Sequence, residues 1–183
     1  MTAALPLVTL VLGGARSGKS RFAEEMVEAQ GNGLYLATAQ AFDEEMTERI
    51  AKHRNRRGDN WETIEEIREI VAVLEREARP DLPILVDCLT LWLSNLLFND
   101  LHAGEGIQKL ADLLQSGTLR GPVVFVSNET GLGVVPDNRL SRVFVDAQGD
   151  LNPLVARLAN RVVMVTAGLP NVLKDQTDRK SVV

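Results

Sequence analysis

Apolar positions along the chain fall into two patterns that take turns. Short contiguous apolar runs recur at residues 7–12, 33–38, 84–87, 123–127 and 161–166. Between them, apolar residues return every three or four positions. The first pattern predicts strands buried on both faces, and the second predicts amphipathic helices. The helices are expected at residues 19–30, 43–56, 65–78, 89–98 and 106–115, and at 138–147 followed by 152–160. A further short strand is a candidate at 61–64. Breakers stand between the elements: Arg79-Pro80-Asp81-Leu82-Pro83, Gly117, Gly121-Pro122 and Gly149. Alternation of this kind predicts an α/β fold, with a mostly parallel central sheet and helices on both faces. No internal repeat or low-complexity segment interrupts it, so residues 1–183 are expected to form one domain. Residues 174–183 are polar and aperiodic, which predicts a frayed tail.

The first apolar run leads directly into chemistry. It breaks at Gly13-Gly14-Ala15-Arg16-Ser17-Gly18-Lys19-Ser20, and a helical pattern follows. The spacing of Gly13, Gly18, Lys19 and Ser20 fits the Walker A phosphate loop. Glycines let the backbone take conformations closed to other residues, so that successive N–H groups turn inward around an anion. Lys19 would set its ammonium against the β- and γ-phosphates, and the Ser20 hydroxyl would ligate Mg²⁺. The positive end of the helix would point at the same phosphates. A glycine turn with only a structural role is the competing explanation, and the strand before it and helix after it argue against that.

In an open parallel sheet, ligands sit beyond the carboxyl ends of the strands. That rule selects residues 38–40, 87–90 and 127–133. Asp87 closes the apolar run Ile84-Leu85-Val86, the Walker B arrangement in which a carboxylate helps to hold Mg²⁺ beside the phosphate loop. Taken alone, such an Asp is as often a helix cap; the phosphate loop favours the metal site.

Composition narrows the function. With 183 residues and 45% hydrophobic content there is enough apolar material for a substantial core. A net charge of −5 argues against a nucleic-acid partner. The basic cluster His53-Arg54-Asn55-Arg56-Arg57 stands out against that background. The single cysteine, Cys88, excludes an internal disulfide and suits a small core position. No apolar stretch approaches the length of a membrane span, and the apolar N-terminus lacks a basic leader, so a cytoplasmic protein is expected. A switch GTPase would carry Gly three residues after its metal-site Asp and Asn-Lys-x-Asp for guanine. Here Asp87 precedes Cys88-Leu89-Thr90, and the comparable Asn opens Asn128-Glu129-Thr130-Gly131. A motor would need more chain. A small-molecule kinase or nucleotidyl transferase is the better class, with a non-catalytic nucleotide sensor as a third possibility.

Several segments together go beyond a generic phosphate-loop protein. They are GGARSGKSRFAEE, YLATAQAFDEEMTERIAKHRNRR with WETIEE, VDCLTLWLSNLL, and VSNETGLGVVPDNRLSRVFVDAQGDLNPLVARLANRVVMVTAGLP. This set resembles the cobinamide kinase / cobinamide-phosphate guanylyltransferase family of cobalamin biosynthesis, from about residue 7 to residue 174. The resemblance implies a RecA-like P-loop fold, a homotrimer and a bifunctional enzyme. Such an enzyme phosphorylates the aminopropanol hydroxyl of adenosylcobinamide with ATP or GTP. It then transfers GMP from GTP to that phosphate, giving adenosylcobinamide-GDP and pyrophosphate. The family's nucleophilic histidine, which carries GMP covalently, corresponds to His53; the other histidine, His102, has no matching context. Imidazole suits the task, because near neutral pH it can attack phosphorus and leave again. Read without the family, His53 is a solvated helix-end residue and Arg54, Arg56 and Arg57 an exposed basic helix end. The resemblance further implies nucleotide contacts from Leu36, Ala37, Thr38, Arg54, Asn55, Arg56, Arg57, Glu65 and Asp87. For Glu65 the bland alternative is an acidic residue at a helix start. The segment 129–138, with Arg139 and Arg142 after it, is of interest for the corrinoid side. Lys52 departs from the pattern, since some members carry a second histidine there, and the tail after Lys174 has no counterpart. A simple phosphate-loop kinase without the transferase step is the alternative.

Overall fold

The computed structural model describes residues 4–40, 58, 60–98 and 103–176. In chain order the elements are β1 (Val8–Gly13), α1 (Lys19–Glu28), β2 (Gly33–Ala37), β3 (Trp61–Glu65), α2 (Ile70–Glu77), β4 (Ile84–Asp87), α3 (Leu89–Phe98), α4 (Ala103–Ser116), β5 (Val123–Asn128), α5 (Arg139–Leu158), β6 (Arg161–Thr166) and β7 (Leu169–Asp175). The expected helix over 43–56 lies outside the described residues.

The strands make one sheet in the order β3-β2-β4-β5-β1-β6-β7. All pairings are parallel except the last, β6 with β7. The phosphate-loop strand β1 is thus separated from β4 by β5, which is the RecA-like order. Side chains alternate across the pleat. Leu10, Leu12, Leu34, Leu36, Val86 and Phe125 face a core closed by Trp92, Leu93, Leu110, Leu151 and Val155 from the later helices. Val11, Leu85, Val124, Val126, Val163 and Val165 face the other way, where α1 contributes Ala23 and Val27. Contiguous apolar runs are what two-faced burial demands.

Three expectations are corrected. Glu65 closes a strand and does not open a helix. It pairs with Ala37, and Glu66 N donates to Ala37 O at 3.0 Å. The next three residues turn around Glu66, whose Oε1 accepts from the backbone N–H of Arg68 and Glu69, and α2 begins only at Ile70. The two helices expected between 138 and 160 are a single helix, α5, with Pro153 inside it. Gln148, Leu151, Asn152 and Val155 hold one buried face across the proline, which outweighs the lost backbone hydrogen bond. Finally, Lys174 and Asp175 belong to β7 and are not tail; Gln176 N donates to Asn160 O. Lys174 also donates through Nζ to the terminal carbonyls Ala156 O and Arg157 O of α5 at 3.1 and 2.9 Å. The rest of the expected tail lies outside the described residues.

Candidate nucleotide site

The phosphate loop is built on a close approach that only glycine allows. A Cβ on Gly13 would run into the Ser17 side chain and stand 2.6 Å from the Val165 carbonyl. Gly18 takes φ +94°, and Arg16 is also left-handed at +56°. Ser17 N donates to Gly14 O at 3.3 Å, which tightens the turn, and Phe22 N donates to Gly18 O, which starts α1. Lys19 is buried against the loop and donates through Nζ to Gly14 O at 3.2 Å. Gly14, Ala15, Arg16 and Gly18 are exposed and Ser20 is half-buried. Ser17 Oγ is buried with no partner among the described residues, so the loop retains a polar atom for a ligand to satisfy.

Opposite the loop, Asp87 is half-buried at the tip of β4. Tyr35 donates its hydroxyl to Asp87 Oδ2 at 2.9 Å, which fixes one carboxylate oxygen. Edge-on to Tyr35 stands Trp61, with ring centroids 5.9 Å apart. Thr38 is fully buried and clamps the next residue: its Oγ1 accepts from Cys88 N at 2.7 Å and donates to Cys88 O at 2.8 Å. Burial pushes the Cys88 thiol up to about 12, the Asp87 charge pushes the same way, and the Lys19 charge opposes both. The thiol therefore senses both the lysine of the loop and the carboxylate of the neighbouring strand.

The structure brings Gly13 to Ser20, Thr38 and Asp87 to the carboxyl ends of the interior strands β1, β2 and β4. Leu36 lies in the core with its backbone in the ladder between Ile64 and Val86, while Ala37 is half-buried beside Asp87. Glu65 is exposed at the far edge of the sheet, on β3. His53, Arg54, Asn55, Arg56 and Arg57 lie outside the described residues. A hydroxyl and a carboxylate are hard oxygen donors that suit Mg²⁺, a cation that keeps several waters and takes phosphate oxygens. Among the described residues no group of three or more His, Cys, Asp or Glu forms a metal cluster.

Sequence reasoning missed three things. Tyr35 reaches Asp87 only because β2 pairs with β4, a register the sequence does not print. The β6–β7 turn, Ala167 and Gly168 at φ +52° and +79°, braces the phosphate loop, with Gly168 N donating to Ser17 O at 2.8 Å. Behind β5, a buried polar cluster ties the helices to the site. Ser127 Oγ donates to Asn152 Oδ1 at 2.7 Å, Gln148 Nε2 donates to both, and Asn128 N donates to Thr90 Oγ1.

A parallel sheet in this order, a glycine-built anion loop and a carboxylate two strands away define a P-loop nucleotide-binding protein. A solved structure from Pyrococcus horikoshii OT3 has the same fold, with a TM-score of 0.55 at 9% identity over 96% of this chain and 90% of that one. The model of the cobinamide kinase / cobinamide phosphate guanyltransferase family matches residues 9–173, and the chain belongs to that family. The bifunctional adenosylcobalamin biosynthesis protein CobP of Pseudomonas aeruginosa is 49% identical over 168 residues, covering 91% of this chain and 97% of that protein. The bifunctional adenosylcobalamin biosynthesis protein CobU of Escherichia coli K12 is 38% identical over 176 residues, covering 89% and 97%. Its Salmonella typhimurium counterpart gives the same identity and coverage.

Proposed function

We infer that this chain is a bifunctional enzyme that performs both reactions in the family's description. It phosphorylates the aminopropanol hydroxyl of adenosylcobinamide with ATP or GTP, and it then transfers GMP from GTP to the resulting phosphate. The observation that carries this is the family match over residues 9–173, a span that contains the phosphate loop and Asp87. In the first step the hydroxyl oxygen bonds to the γ-phosphorus, the bond to the β-phosphate oxygen breaks, and the hydroxyl proton departs. Lys19 and the loop N–H groups hold the phosphates while charge shifts among their oxygens. In the second step an imidazole nitrogen of His53 bonds to the α-phosphorus and pyrophosphate leaves. An oxygen of the corrinoid phosphate then takes the guanylyl group and frees the histidine. Arg54, Asn55, Arg56, Arg57 and Glu65, with the backbone of residues 36–38, are assigned to the guanine nucleotide.

Mg²⁺ held by Ser20 and Asp87 would neutralise phosphate charge; the oxygen donor set supports it. We further assign a homotrimer working in the cytoplasm. Support for assembly comes from apolar side chains exposed on the edge strand β7, Leu169 at 73% and Leu173 at 56%. No helix among the described residues is long and apolar enough to cross a membrane. The test is incubation with α-labelled GTP and Mg²⁺. Label on the protein that acid releases and base does not marks a phosphoramidate. A simple kinase would pass γ-label to adenosylcobinamide and never hold GMP.

A further inference from the structure

The kinase step needs a group to take the proton of the attacking hydroxyl, and the family description names none. Six strands of the sheet run parallel, and four carboxylates lie at or one residue past their carboxyl ends: Glu65, Glu66, Asp87 and Glu129. Strands stand about 4.8 Å apart, so position in the sheet order measures distance from the phosphate loop. Glu65 and Glu66 follow β3, which is four strands from β1. Asp87 ends β4, two strands away, and one of its oxygens is held by the Tyr35 hydroxyl.

Glu129 alone follows the strand next to β1. Asn128 is the register partner of Gly13, and Glu129 N donates to Gly13 O at 3.1 Å, so this backbone is tied to the first residue of the phosphate loop. The carboxylate is half-buried, and its Oε1 accepts from Gly131 N at 3.1 Å, which sets its direction and leaves Oε2 to accept a proton. On either side of it, Asn128 Oδ1 and Thr130 Oγ1 are buried without a partner among the described residues. Polar atoms in that condition mark a place where a ligand group completes the hydrogen bonding.

We propose that Glu129 is the general base of the kinase step. Its carboxylate takes the proton from the acceptor hydroxyl as that oxygen bonds to the γ-phosphorus and the nucleoside diphosphate leaves. The proposal rests on the kinase activity inferred above, and guanylyl transfer to His53, where no hydroxyl is deprotonated, does not need it. The experiment compares Glu129→Gln and Glu129→Asp with the unaltered protein, using ATP, adenosylcobinamide and α-labelled GTP. Glu129→Gln should lower phosphorylation turnover by about a hundredfold or more. ATP affinity and GMP labelling of the protein should stay within about threefold, because a general-base contribution appears only in the transition state. Glu129→Asp, which keeps a carboxylate on a shorter side chain, should retain more of the turnover than Glu129→Gln. Turnover within threefold of the unaltered protein overturns the proposal, as does a loss of ATP affinity that accounts for the slower rate. A loss of GMP labelling equal to the loss of kinase activity overturns it too. If the unaltered protein makes no cobinamide phosphate, the inferred kinase activity itself fails and the proposal falls with it.

Discussion

The Asp87 carboxylate owes its direction to a phenol on the neighbouring strand. Tyr35 is 5% exposed and shares the α1 side of the sheet with Trp61, which in turn donates through Nε1 to Glu28 Oε1 at 3.0 Å. Partners of this kind around a cation ligand are typically worth about 10- to 100-fold in metal affinity. Tyr35→Phe keeps the ring and removes only the donor. It should raise the Mg²⁺ concentration needed for half-maximal turnover by about tenfold, with the midpoint of thermal unfolding nearly unchanged. Asp87→Asn should do more, since it removes the charge and keeps the shape; turnover should not return at any Mg²⁺ concentration. If Asp87→Asn instead lowers thermal stability and spares kcat, Asp87 is a structural residue. Cys88, one position on, is 6% exposed, and its thiol is held neutral by burial. It should react with iodoacetamide only after unfolding, which mass spectrometry of native and denatured samples reads directly. The expectation that Cys88 is a small core residue holds on that ground.

At the scale of elements, what could be read in the sequence was whatever repeats within a few residues. The strands at 84–87 and 161–166 appear with the bounds expected, and α3 spans the expected 89–98, because contiguous apolar runs and helical spacing are local signals. The phosphate loop was equally readable, since its chemistry lies in eight consecutive residues. What could not be read depends on partners far along the chain. Strand β7 carries Pro170, Asn171 and Lys174 among its apolar residues and is largely exposed, so its pattern resembles a loop until β6 is beside it. Its turn uses Ala167-Gly168 at positive φ, not the Asn-Gly pair that announces such a hairpin. The polar cluster was hidden for the same reason: Ser127 ends an expected strand, Gln148 falls between two expected helices and Asn152 opens the second, yet they are 0%, 1% and 4% exposed. Asn152→Ala would remove the donor to Asn128 O and one partner of Ser127 Oγ, which keeps Gln148 Nε2 and Thr90 Oγ1. A stranded polar group costs about 1–3 kcal/mol, so the variant should unfold at lower denaturant with an unchanged slope, by about that amount.

For the molecule as a whole, the proposed mechanism routes two reactions through one phosphate loop. Lys19 sits at the start of α1 with its ammonium folded onto the loop, and both the γ-phosphoryl and the GMP transfers require the triphosphate to be held there. Lys19→Ala should therefore abolish both activities. If one survives near its normal level, a second nucleotide site exists. In the proposed mechanism His53 divides the two, because direct phosphoryl transfer to a hydroxyl needs no histidine nucleophile, whereas GMP resides on the enzyme while pyrophosphate leaves and the corrinoid phosphate arrives. His53→Ala should eliminate protein-bound GMP and the GDP-corrinoid product while cobinamide phosphate still forms at a substantial rate; His102→Ala should change neither. Covalent labelling that persists in His53→Ala would place the nucleophile elsewhere. Equal loss of the kinase activity would mean that His53 shapes the shared nucleotide pocket. The informative outcome is the split: ATP consumed, cobinamide phosphate accumulating, and no label on the protein.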